Sequence, residues 1–431
     1  MTYPKLPEIP YGRYTNKDFF SSEMDFAFRK SWFFVAHASE LKDQGDYLRL
    51  NIPFASVFLM RGKDRKIRAF LNSCRHRGAA LINEDAGCAK VLTCPYHAWS
   101  YDLSGKLIGV TRVEEFPGLV KENNGLYELR CEQWGALVFI NFDSEADPLI
   151  EWLPRSWIDR YSCAVEEKHG VSMRRAGVFS MTVNCNWKMV IENFWEVYHV
   201  PFIHPKSVSP TLNVDLASYT AHSNGHGTFA VPLICSEPSE SDPNQFAEMR
   251  QAVHNMGKIP GIDAKLEQDL SNNLYGHSIF PSGLWSVQGG TTISRFQVWP
   301  IDVDRSLIES FSFIVEREGA EFPLQSRYVP DNSESYTTGN QVLDEDLSCL
   351  HQVQRSMEGN PNGRVVLGSQ EILIYNMHSH LDECIGQWQI PASLRVPKVL
   401  DDLVTDNIFL HPDIYSYSED SAERNILSAS G

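Results

Sequence analysis

The sequence predicts an α+β fold, in which a small antiparallel-β domain precedes a larger domain with an antiparallel sheet flanked by helices. From Trp32 to Phe142, short apolar runs rich in β-branched residues alternate with turn signals, a pattern typical of many short antiparallel strands. After Phe142 apolar residues recur at helical spacing, and strand-like runs return at residues 291–300 and 307–315. A chain of 431 residues also exceeds the usual size of one domain, so more than one folded unit is expected.

The first domain should consist mainly of strands. Residues 46–51, 55–60 and 135–141 are apolar runs bounded by polar or glycine-containing segments, and each predicts a strand. Ser104-Gly105 indicates a hairpin turn, because glycine adopts the backbone conformations that tight hairpin turns require.

The second domain should contain three long helices. Apolar spacing predicts helices over residues 148–160 and 342–357, and a buried helix from Trp187 to His199 that ends before Pro201. Residues 233–250 are polar and contain prolines, which favours a long loop or lid.

These elements divide the chain into three expected units. The first domain should cover residues 32–146 and the second, larger one residues 147–431. Residues 1–31 are expected to form an N-terminal segment that packs on the second domain.

Composition and charge narrow the classes of protein and partner. The net charge of −17 argues against nucleic acid and anionic membranes as partners, because both repel an acidic surface. The N-terminus has no apolar core of a signal peptide, and no run approaches the roughly 18 apolar residues of a membrane span. Nine cysteines, an odd number at irregular spacing, are typical of free thiols and metal ligands in a reducing compartment. We therefore expect a soluble cytoplasmic protein.

Two Cys–His pairs form the sharpest motif in the chain. They are Cys74-Arg-His76-Arg-Gly and Cys94-Pro-Tyr-His97-Ala-Trp, separated by seventeen residues. A [2Fe–2S] cluster with two thiolates on one iron and two imidazoles on the other needs one Cys and one His from each of two loops. Zinc accepts the same ligands, although zinc sites usually pair Cys with Cys and His with His. Two buried cysteines with two ordinary core histidines are the remaining alternative.

A second candidate metal site lies between residues 186 and 204. On the predicted helix Asn193, Glu196 and His199 fall on one face, and a turn after Pro201 could bring His204 back towards His199. Two histidines and one carboxylate form the facial triad that binds Fe(II) and leaves positions open for O₂. A polar helix face with a single buried histidine would produce the same pattern. The carboxylate has to come from elsewhere in the chain.

Together and in this order, the two motifs resemble the Rieske non-haem iron oxygenases, in particular the large (α) subunits of ring-hydroxylating oxygenases. The resemblance extends from Trp32 to about Gln354. It implies a Rieske [2Fe–2S] domain at residues 32–146, with the cluster on the four residues of the Cys–His pairs. It also implies a catalytic domain at residues 147–431 that binds mononuclear Fe(II) through His199 and His204.

The same resemblance selects the third iron ligand. The family's late helix carries its ligand Asp eight residues before a Gln, which here is Asp346 before Gln354. Asp344 and Glu345 are rivals, because acidic residues are common in the first turn of any helix for reasons of the helix dipole alone.

Catalytic roles follow from the resemblance as well. It implies that Glu196 bridges His199 of one subunit and the cluster ligand His97 of its neighbour, and that Tyr198 supports this junction. Asn193, on the same predicted helix face, completes the candidate catalytic set. Many members carry Asp at the position of Glu196, whereas Glu occurs in a branch that includes both ring hydroxylases and quaternary-amine oxygenases.

The implied activity is that of a terminal oxygenase. No glycine-rich dinucleotide-binding loop is visible in the sequence, so electrons should come from NAD(P)H through a separate flavin reductase, a ferredoxin, or both. We expect O₂-dependent hydroxylation of a small organic substrate, in the first place an aromatic compound by a ring-hydroxylating dioxygenase. Oxidative demethylation or hydroxylation of a quaternary or methylated amine by a monooxygenase is the alternative. A non-catalytic Rieske electron-transfer protein is the alternative of another class. The expected assembly is a homotrimer, with or without a small β subunit.

Two further groups of residues lie near these motifs in the sequence. Phe194, Phe202 and Leu212 flank the iron ligands in sequence and are candidate pocket walls. His222 and His226 lie in a glycine-containing segment and are expected to be solvated loop residues.

Overall fold

Antiparallel sheets form the framework of both halves of the chain, which confirms the α+β prediction. The structure is a computed structural model, and it describes residues 5–166, 173–234, 258–315, 327–329 and 341–399. Of the predicted loop at residues 233–250, all but residues 233 and 234 lie outside the described residues.

The N-terminal segment contains short elements that precede the first sheet. They are β1 (Ile9–Pro10), α1 (Gly12–Thr15), α2 (Lys17–Glu23) and a π-helical turn at Met24–Phe28. Strand β1 pairs with a strand late in the described chain, at Arg364–Val365, so the N-terminal segment contacts the second half of the chain.

The first half of the chain forms two sheets. The described strands are β2 (Phe33–His37), β3 (Asp46–Leu50), β4 (Val57–Arg61), β5 (Ile67–Leu71), β6 (Ala86–Cys88), β7 (Leu92–Thr93), β8 (Ser100–Tyr101), β9 (Leu107–Gly109), β10 (Glu128–Trp134) and β11 (Leu137–Asn141). Among them, the larger sheet has the order β2-β11-β10-β5-β4-β3-β6, and β7-β8-β9 form a small separate sheet. The predicted hairpin turn joins β8 and β9, where Gly105 has a φ of 78°.

Strand β4 lies between two layers of apolar side chains. All five of its residues are buried, since both of its faces are covered. Val57 and Leu59 pack into the main core, whereas Phe58 and Met60 point the other way and pack in the cluster that contains Cys74.

The second half of the chain forms one large sheet. Its strands, as far as the structure describes them, are β12 (Met173–Val183), β13 (Ser218–Ala221), β14 (Gly227–Pro232), β15 (Asn273–Ile279), β16 (Gly283–Gln288), β17 (Thr292–Asp302), β18 (Arg305–Val315) and β19 (Arg327–Val329). The order is β13-β14-β15-β16-β17-β18-β12-β19, antiparallel except that β12 and β19 run parallel. The predicted strands at 291–300 and 307–315 correspond to β17 and β18. Strand β20 (Arg364–Val365) is the partner of β1.

Helices cover both faces of this sheet. They are α3 (Leu149–Trp152), α4 (Arg155–Val165), α5 (Trp187–Asn193), α6 (Val200–Ile203), α7 (Ala264–Asn272), α8 (Gln341–Glu358) and α9 (Ile372–Ile385). Single-turn 3₁₀ helices lie at Ala38–Glu40, Val113–Glu115, Lys121–Asn123, Ser209–Thr211, Val214–Leu216, Ser223–Gly225, Ser369–Glu371 and Ala392–Leu394. Apolar residues of α4 pack on one face of the sheet, and those of α5 and α8 belong to the core on the other face.

The prediction of one continuous helix from Trp187 to His199 is wrong. Helix α5 ends at Asn193, and the chain runs through a turn before α6 begins at Val200. Pro201 does not end a helix but lies in the first turn of α6, where its missing N–H costs nothing. Asn193, Glu196 and His199 therefore do not share one helical face.

The prediction that His222 and His226 are solvated is also wrong. Their exposed fractions are 6% and 0%. The ring of His226 accepts a hydrogen bond from the Phe280 N–H and lies 3.1 Å from the Trp152 carbonyl oxygen, and burial lowers its pKa. Both histidines are hydrogen-bonded core residues on the side of the sheet where α3 and α4 pack.

A buried polar network ties the N-terminal segment to α5. Lys188 donates to Glu23 at 2.7 Å, with both side chains fully buried. One turn further along α5, Glu192 accepts from Tyr14 at 3.0 Å and lies 2.8 Å from His378 of α9. Burial raises the pKa of Glu192 to about 8 and lowers that of His378, which favours the uncharged form of both groups. The network fixes α5, the helix that leads into the second motif.

Candidate metal centres

The two Cys–His loops have the same backbone design. Cys74 and His76 follow β5, whereas Cys94 and His97 lie between β7 and β8. In each loop the residue four positions after the cysteine donates its N–H to the cysteine carbonyl, from Gly78 at 2.8 Å and from Ala98 at 3.0 Å. These two donors have φ values of 75° and 56°, in the left-handed region that closes a tight turn. The thiols are buried, and the loop apices face outward.

The two histidines point at a common position. Their Nδ1 atoms lie 3.1 Å apart and their ring centroids 4.5 Å apart. Two nitrogens bound to one tetrahedral metal at about 2.0–2.1 Å are separated by roughly 3.3 Å. The geometry of His76 and His97 therefore fits two ligands of one iron, with the thiols of Cys74 and Cys94 left for the other.

A single zinc ion does not fit these loops. Among the described residues, one group of three histidine, cysteine or carboxylate donor atoms lies within 4.8 Å of one another. It consists of His199, His204 and Asp346. The ligands of one tetrahedral zinc would satisfy that distance, because bonds of about 2.0–2.3 Å keep them within about 4 Å of one another. The Cys–His loops do not satisfy it, and a wider two-iron group suits them better.

Two aromatic residues support the Cys–His loops. Trp99 stacks on the ring of His76 with centroids 5.0 Å apart. The hydroxyl of Tyr101 lies 3.2 Å from the Cys74 sulfur and accepts the Arg75 N–H at 3.0 Å. Donation of the hydroxyl hydrogen to a thiolate would stabilise its negative charge, and hydrogen bonds to the sulfurs tune a cluster's potential. Tyr101 is not among the site residues that the motifs predict, although it lies in the strand directly after the second loop.

The second motif meets the late helix as the sequence predicted. His204 Nε2 lies 2.8 Å from Asp346 Oδ1, and His199 Nε2 lies 3.5 Å from the same oxygen. Adjacent ligands of an octahedral metal at about 2.1 Å are roughly 3.0 Å apart, so the three donors fit one ion. His204 and Asp346 are each about 2% exposed, whereas His199 lies nearer the surface. Two imidazoles and one carboxylate are the donor set of a facial-triad iron site.

The other two acids of this helix turn take different positions. Glu345 does not share the cluster of donors but lies behind it, with Oε2 2.7 Å from His204 Nδ1. Asp344 is absent from the set of donors that the described residues bring together. The structure therefore gathers Asp346, not its two neighbours, with the histidines.

The three candidate catalytic residues differ in burial and in contacts. Glu196 is 8% exposed, and its carboxylate accepts the His199 N–H at 3.1 Å and contacts His199 Nδ1. Tyr198 is 60% exposed and packs edge-on to Phe202, which is 71% exposed. Asn193 ends α5, and its buried Nδ2 has no hydrogen-bond partner among the described residues. Only Glu196 touches a metal-ligand candidate.

Of the predicted pocket-wall residues, Phe194 lies against the large sheet. Its ring packs on that of Phe296 of β17, with ring centroids 4.2 Å apart and the ring planes tilted by 40°. Both rings are partly buried and pack against the core that contains Leu343 and Leu347 of α8. Among the predicted pocket walls, Phe194 is placed on the sheet side, Leu212 is fully buried, and Phe202 faces outward.

Comparison with known sequences identifies the family. A sequence model of the Rieske [2Fe-2S] domain matches residues 31–122, and a model described as the ring hydroxylating alpha subunit (catalytic domain) matches residues 171–387, half of the chain. The chain belongs to the Rieske non-haem iron oxygenase family. The family predicted from the two motifs is thereby confirmed, together with its cofactors, a Rieske [2Fe–2S] cluster and a mononuclear iron.

Individual relatives of this Rieske oxygenase differ in the share of the chain that they cover. The carnitine monooxygenase oxygenase subunit of Escherichia coli (strain K12) is 35% identical over 342 residues, 79% of this chain and 78% of the relative. The carnitine monooxygenase oxygenase subunit of Acinetobacter pittii (strain PHEA-2) is 32% identical over 249 residues, 56% of this chain and 64% of the relative. The chlorobenzene dioxygenase subunit alpha of Cupriavidus sp. (strain PS12) is 34% identical over 194 residues, 43% of this chain and 42% of the relative.

A solved structure has a similar fold over most of this Rieske oxygenase. A quaternary ammonium Rieske monooxygenase in complex with an inhibitor has a TM-score of 0.68 at 26% sequence identity, covering 89% of this chain and 96% of the other. In the described residues of this chain, no helix is long and apolar enough to cross a membrane.

The metal content of the purified Rieske oxygenase should reflect both centres. We expect about three irons and two acid-labile sulfides per chain, from one [2Fe–2S] cluster and one mononuclear iron. Cys74→Ser should bleach the visible absorption because it removes a thiolate ligand, whereas Cys88→Ser, at an exposed cysteine outside the loops, should not. Elemental analysis and absorption spectra measure both. Stoichiometric zinc without sulfide after anaerobic purification would contradict the cluster assignment.

Proposed function

We propose that this chain is the terminal oxygenase component of a monooxygenase that hydroxylates or oxidatively demethylates a quaternary or methylated amine. The observation that carries the proposal is the similarity to a carnitine monooxygenase oxygenase subunit, 35% identical across 79% of the chain. The aromatic dioxygenase subunit matches only 43% of the chain at similar identity. The sequence alone favoured an aromatic substrate, and the amine was its alternative.

The cofactor ligands follow from the geometry of the two centres. We assign the cluster to Cys74, His76, Cys94 and His97, and the mononuclear iron to His199, His204 and Asp346. When bound, the cluster supplies single electrons and the iron supplies the site of dioxygen activation, neither of which protein side chains provide. The protein's own residues orient these ligands, bury the site and hold the substrate.

The charge of the protein suits a cationic substrate. Three carboxylates, those of Glu196, Glu345 and Asp346, lie at the iron triad, and the whole chain carries a net charge of −17. Such a field attracts cations and raises their local concentration. We propose that the rings of Phe194, five residues before His199 in the chain, and of Phe296 provide a cation–π surface, which suits an ammonium group without N–H donors.

An aromatic substrate remains the second candidate. The same two rings, those of Phe194 and Phe296, can pack against a flat hydrocarbon ring, and an aromatic dioxygenase subunit is among the relatives. The two candidates differ in charge, and a substrate comparison can therefore separate them.

Electron delivery requires a partner and, we propose, a second copy of the chain. We propose a separate ferredoxin, NAD(P)H-dependent flavin reductase, or both, as donors. Glu196 would link His199 of one subunit to His97 of the next in a homotrimer, supported by the exposed Tyr198 nearby. A related quaternary ammonium Rieske monooxygenase is described as transferring electrons between subunits. A small β subunit is compatible with this arrangement. We also propose a cytoplasmic location, because free cysteines, which the described residues contain, are typical of a reducing compartment.

The decisive experiment compares matched substrates. Purified protein with a surrogate reductase would be given γ-butyrobetaine, its analogue with an uncharged tert-butyl group in place of trimethylammonium, and naphthalene. We expect oxygen uptake coupled to product formation with γ-butyrobetaine only, because the analogue keeps the shape and the carboxylate but lacks the positive charge. Equal turnover of γ-butyrobetaine and its analogue would remove the basis for an amine substrate, and coupled oxidation of naphthalene alone would establish the aromatic function instead.

A further inference from the structure

We propose that Glu345 is a positioning residue for the iron ligand His204, so that each histidine ligand is held by its own carboxylate. This inference rests on the proposed iron site at His199, His204 and Asp346. It assigns to Glu345, a rival for the third ligand in the sequence, a different role in the same site.

The geometry at His204 carries the proposal. Two consecutive residues of α8 contact the two ring nitrogens of His204. Nδ1 lies 2.7 Å from Glu345, and Nε2 lies 2.8 Å from Asp346. The two nitrogens lie on different sides of an imidazole ring, so this pair of contacts prevents the ring from flipping or rotating. With the Nδ1 hydrogen donated to Glu345, the lone pair of Nε2 is directed at the metal.

Glu345 is itself held in place, unlike an ordinary acid at a helix start. The same oxygen that contacts His204 accepts a hydrogen bond from Ser207 at 2.6 Å, and the other accepts one from Gln341 at 2.8 Å. Ser207 belongs to the segment that carries His204, whereas Gln341 lies one turn earlier on α8. The carboxylate therefore joins helix α8 to the histidine segment, and its side chain is only 25% exposed.

The arrangement also fixes the charge around the metal. Glu196 contacts His199 Nδ1 as Glu345 contacts His204 Nδ1, and Asp346 adds a third carboxylate. Three negative charges facing a divalent ion leave a formal charge of −1, which favours retention of the cation. Removal of the charge of Glu345 with its shape preserved should therefore weaken Fe(II) binding.

The test is a comparison of Fe(II) affinity in protein that keeps its cluster but has been stripped of mononuclear iron. Anaerobic Fe(II) titration against a competing chelator would be applied to Glu345→Gln, Ser207→Ala and the control Asp344→Asn. The control removes the same charge one residue away on the same helix turn. Because outer-sphere partners of metal-bound histidines typically contribute about 10- to 100-fold in affinity, we expect a loss of that size in Glu345→Gln. Ser207→Ala should lose less, and Asp344→Asn should stay close to the unaltered protein.

A spectroscopic signature separates positioning from a loss of stability. Electron paramagnetic resonance of iron-saturated, nitric oxide-treated protein should change in Glu345→Gln and not in Asp344→Asn, while the cluster spectrum and melting temperature stay the same. Unchanged Fe(II) affinity and resonance in Glu345→Gln, or an equal loss in Asp344→Asn, would overturn the inference. If Asp346→Ala also kept its iron, the proposed iron site itself would be wrong; if Asp346→Ala lost it, only the role of Glu345 would fail.

Discussion

Asp346→Ala should lose the mononuclear iron and all measurable oxygenase activity while it keeps the visible spectrum of the cluster. Asp346 supplies the only carboxylate oxygen that the described residues bring close to both histidine nitrogens, at 2.8 and 3.5 Å. With two neutral imidazoles left, the site lacks a charged ligand for a divalent ion. The cluster should survive because Cys74, His76, Cys94 and His97 lie on loops of the other sheet.

Iron analysis measures the loss of the mononuclear iron, and absorption spectra measure the retention of the cluster. Asp344→Ala is the matched control, because it deletes an acid of the same helix turn and should keep the iron. Glu345→Ala should weaken iron binding without abolishing it at saturating Fe(II). An Asp346→Ala protein that keeps its iron, beside an Asp344→Ala or Glu345→Ala protein that loses it altogether, would show that a different acid of α8 is the ligand.

Two inactive variants should restore activity when they are assembled together. Cys74→Ser lacks the donor cluster, and His204→Ala lacks a working iron, so neither is active alone. If each junction combines the cluster of one subunit with the iron of the next, it works when the donor is His204→Ala and the acceptor is Cys74→Ser. Random mixing gives half times half, or about a quarter of wild-type activity, for a head-to-tail ring.

The measurement requires differently tagged chains, tandem purification and native mass spectrometry to confirm mixed assemblies. At saturating Fe(II), Glu196→Ala should keep both metals but pass electrons slowly, because the carboxylate that contacts His199 is the proposed link to the neighbouring subunit. Mixed assemblies without activity above either parent would mean that electrons pass within one chain, and the inter-subunit role of Glu196 would then be rejected.

Local motifs made the cluster loops predictable. Each Cys–His pair is separated by one or two residues, so the sequence distance nearly fixes the spatial distance. The strands could also be predicted from the sequence. Alternation of apolar and polar residues, bounded by turn residues, is a pattern of neighbours along the chain. Helix α8 was predicted within a residue of its observed limits for the same reason.

The end of helix α5 was not predictable in this way. Residues 194–199 contain no proline or glycine, and nothing in the local pattern indicates a break. Tertiary contacts decide it: Tyr219 accepts the Val197 N–H at 3.3 Å, and Glu196 accepts that of His199. These side chains satisfy backbone groups that a continued helix would have bonded internally. Burial of His226 was missed for a related reason, since its partners Trp152 and Phe280 are distant in sequence.

The sequence by itself determined the family and predicted the cluster ligands and the two iron histidines, because the chemistry of each group lies within a few consecutive residues. It selected Asp346 over Glu345 only through the family resemblance, and the physical reason for the different positions of the two acids lies in the tertiary structure. The two acids are adjacent on α8, and the helix dipole favours both equally. Consecutive helical residues point about 100° apart, so a packing contact more than 140 residues away in sequence places Asp346 on the metal side of His204 and Glu345 behind it.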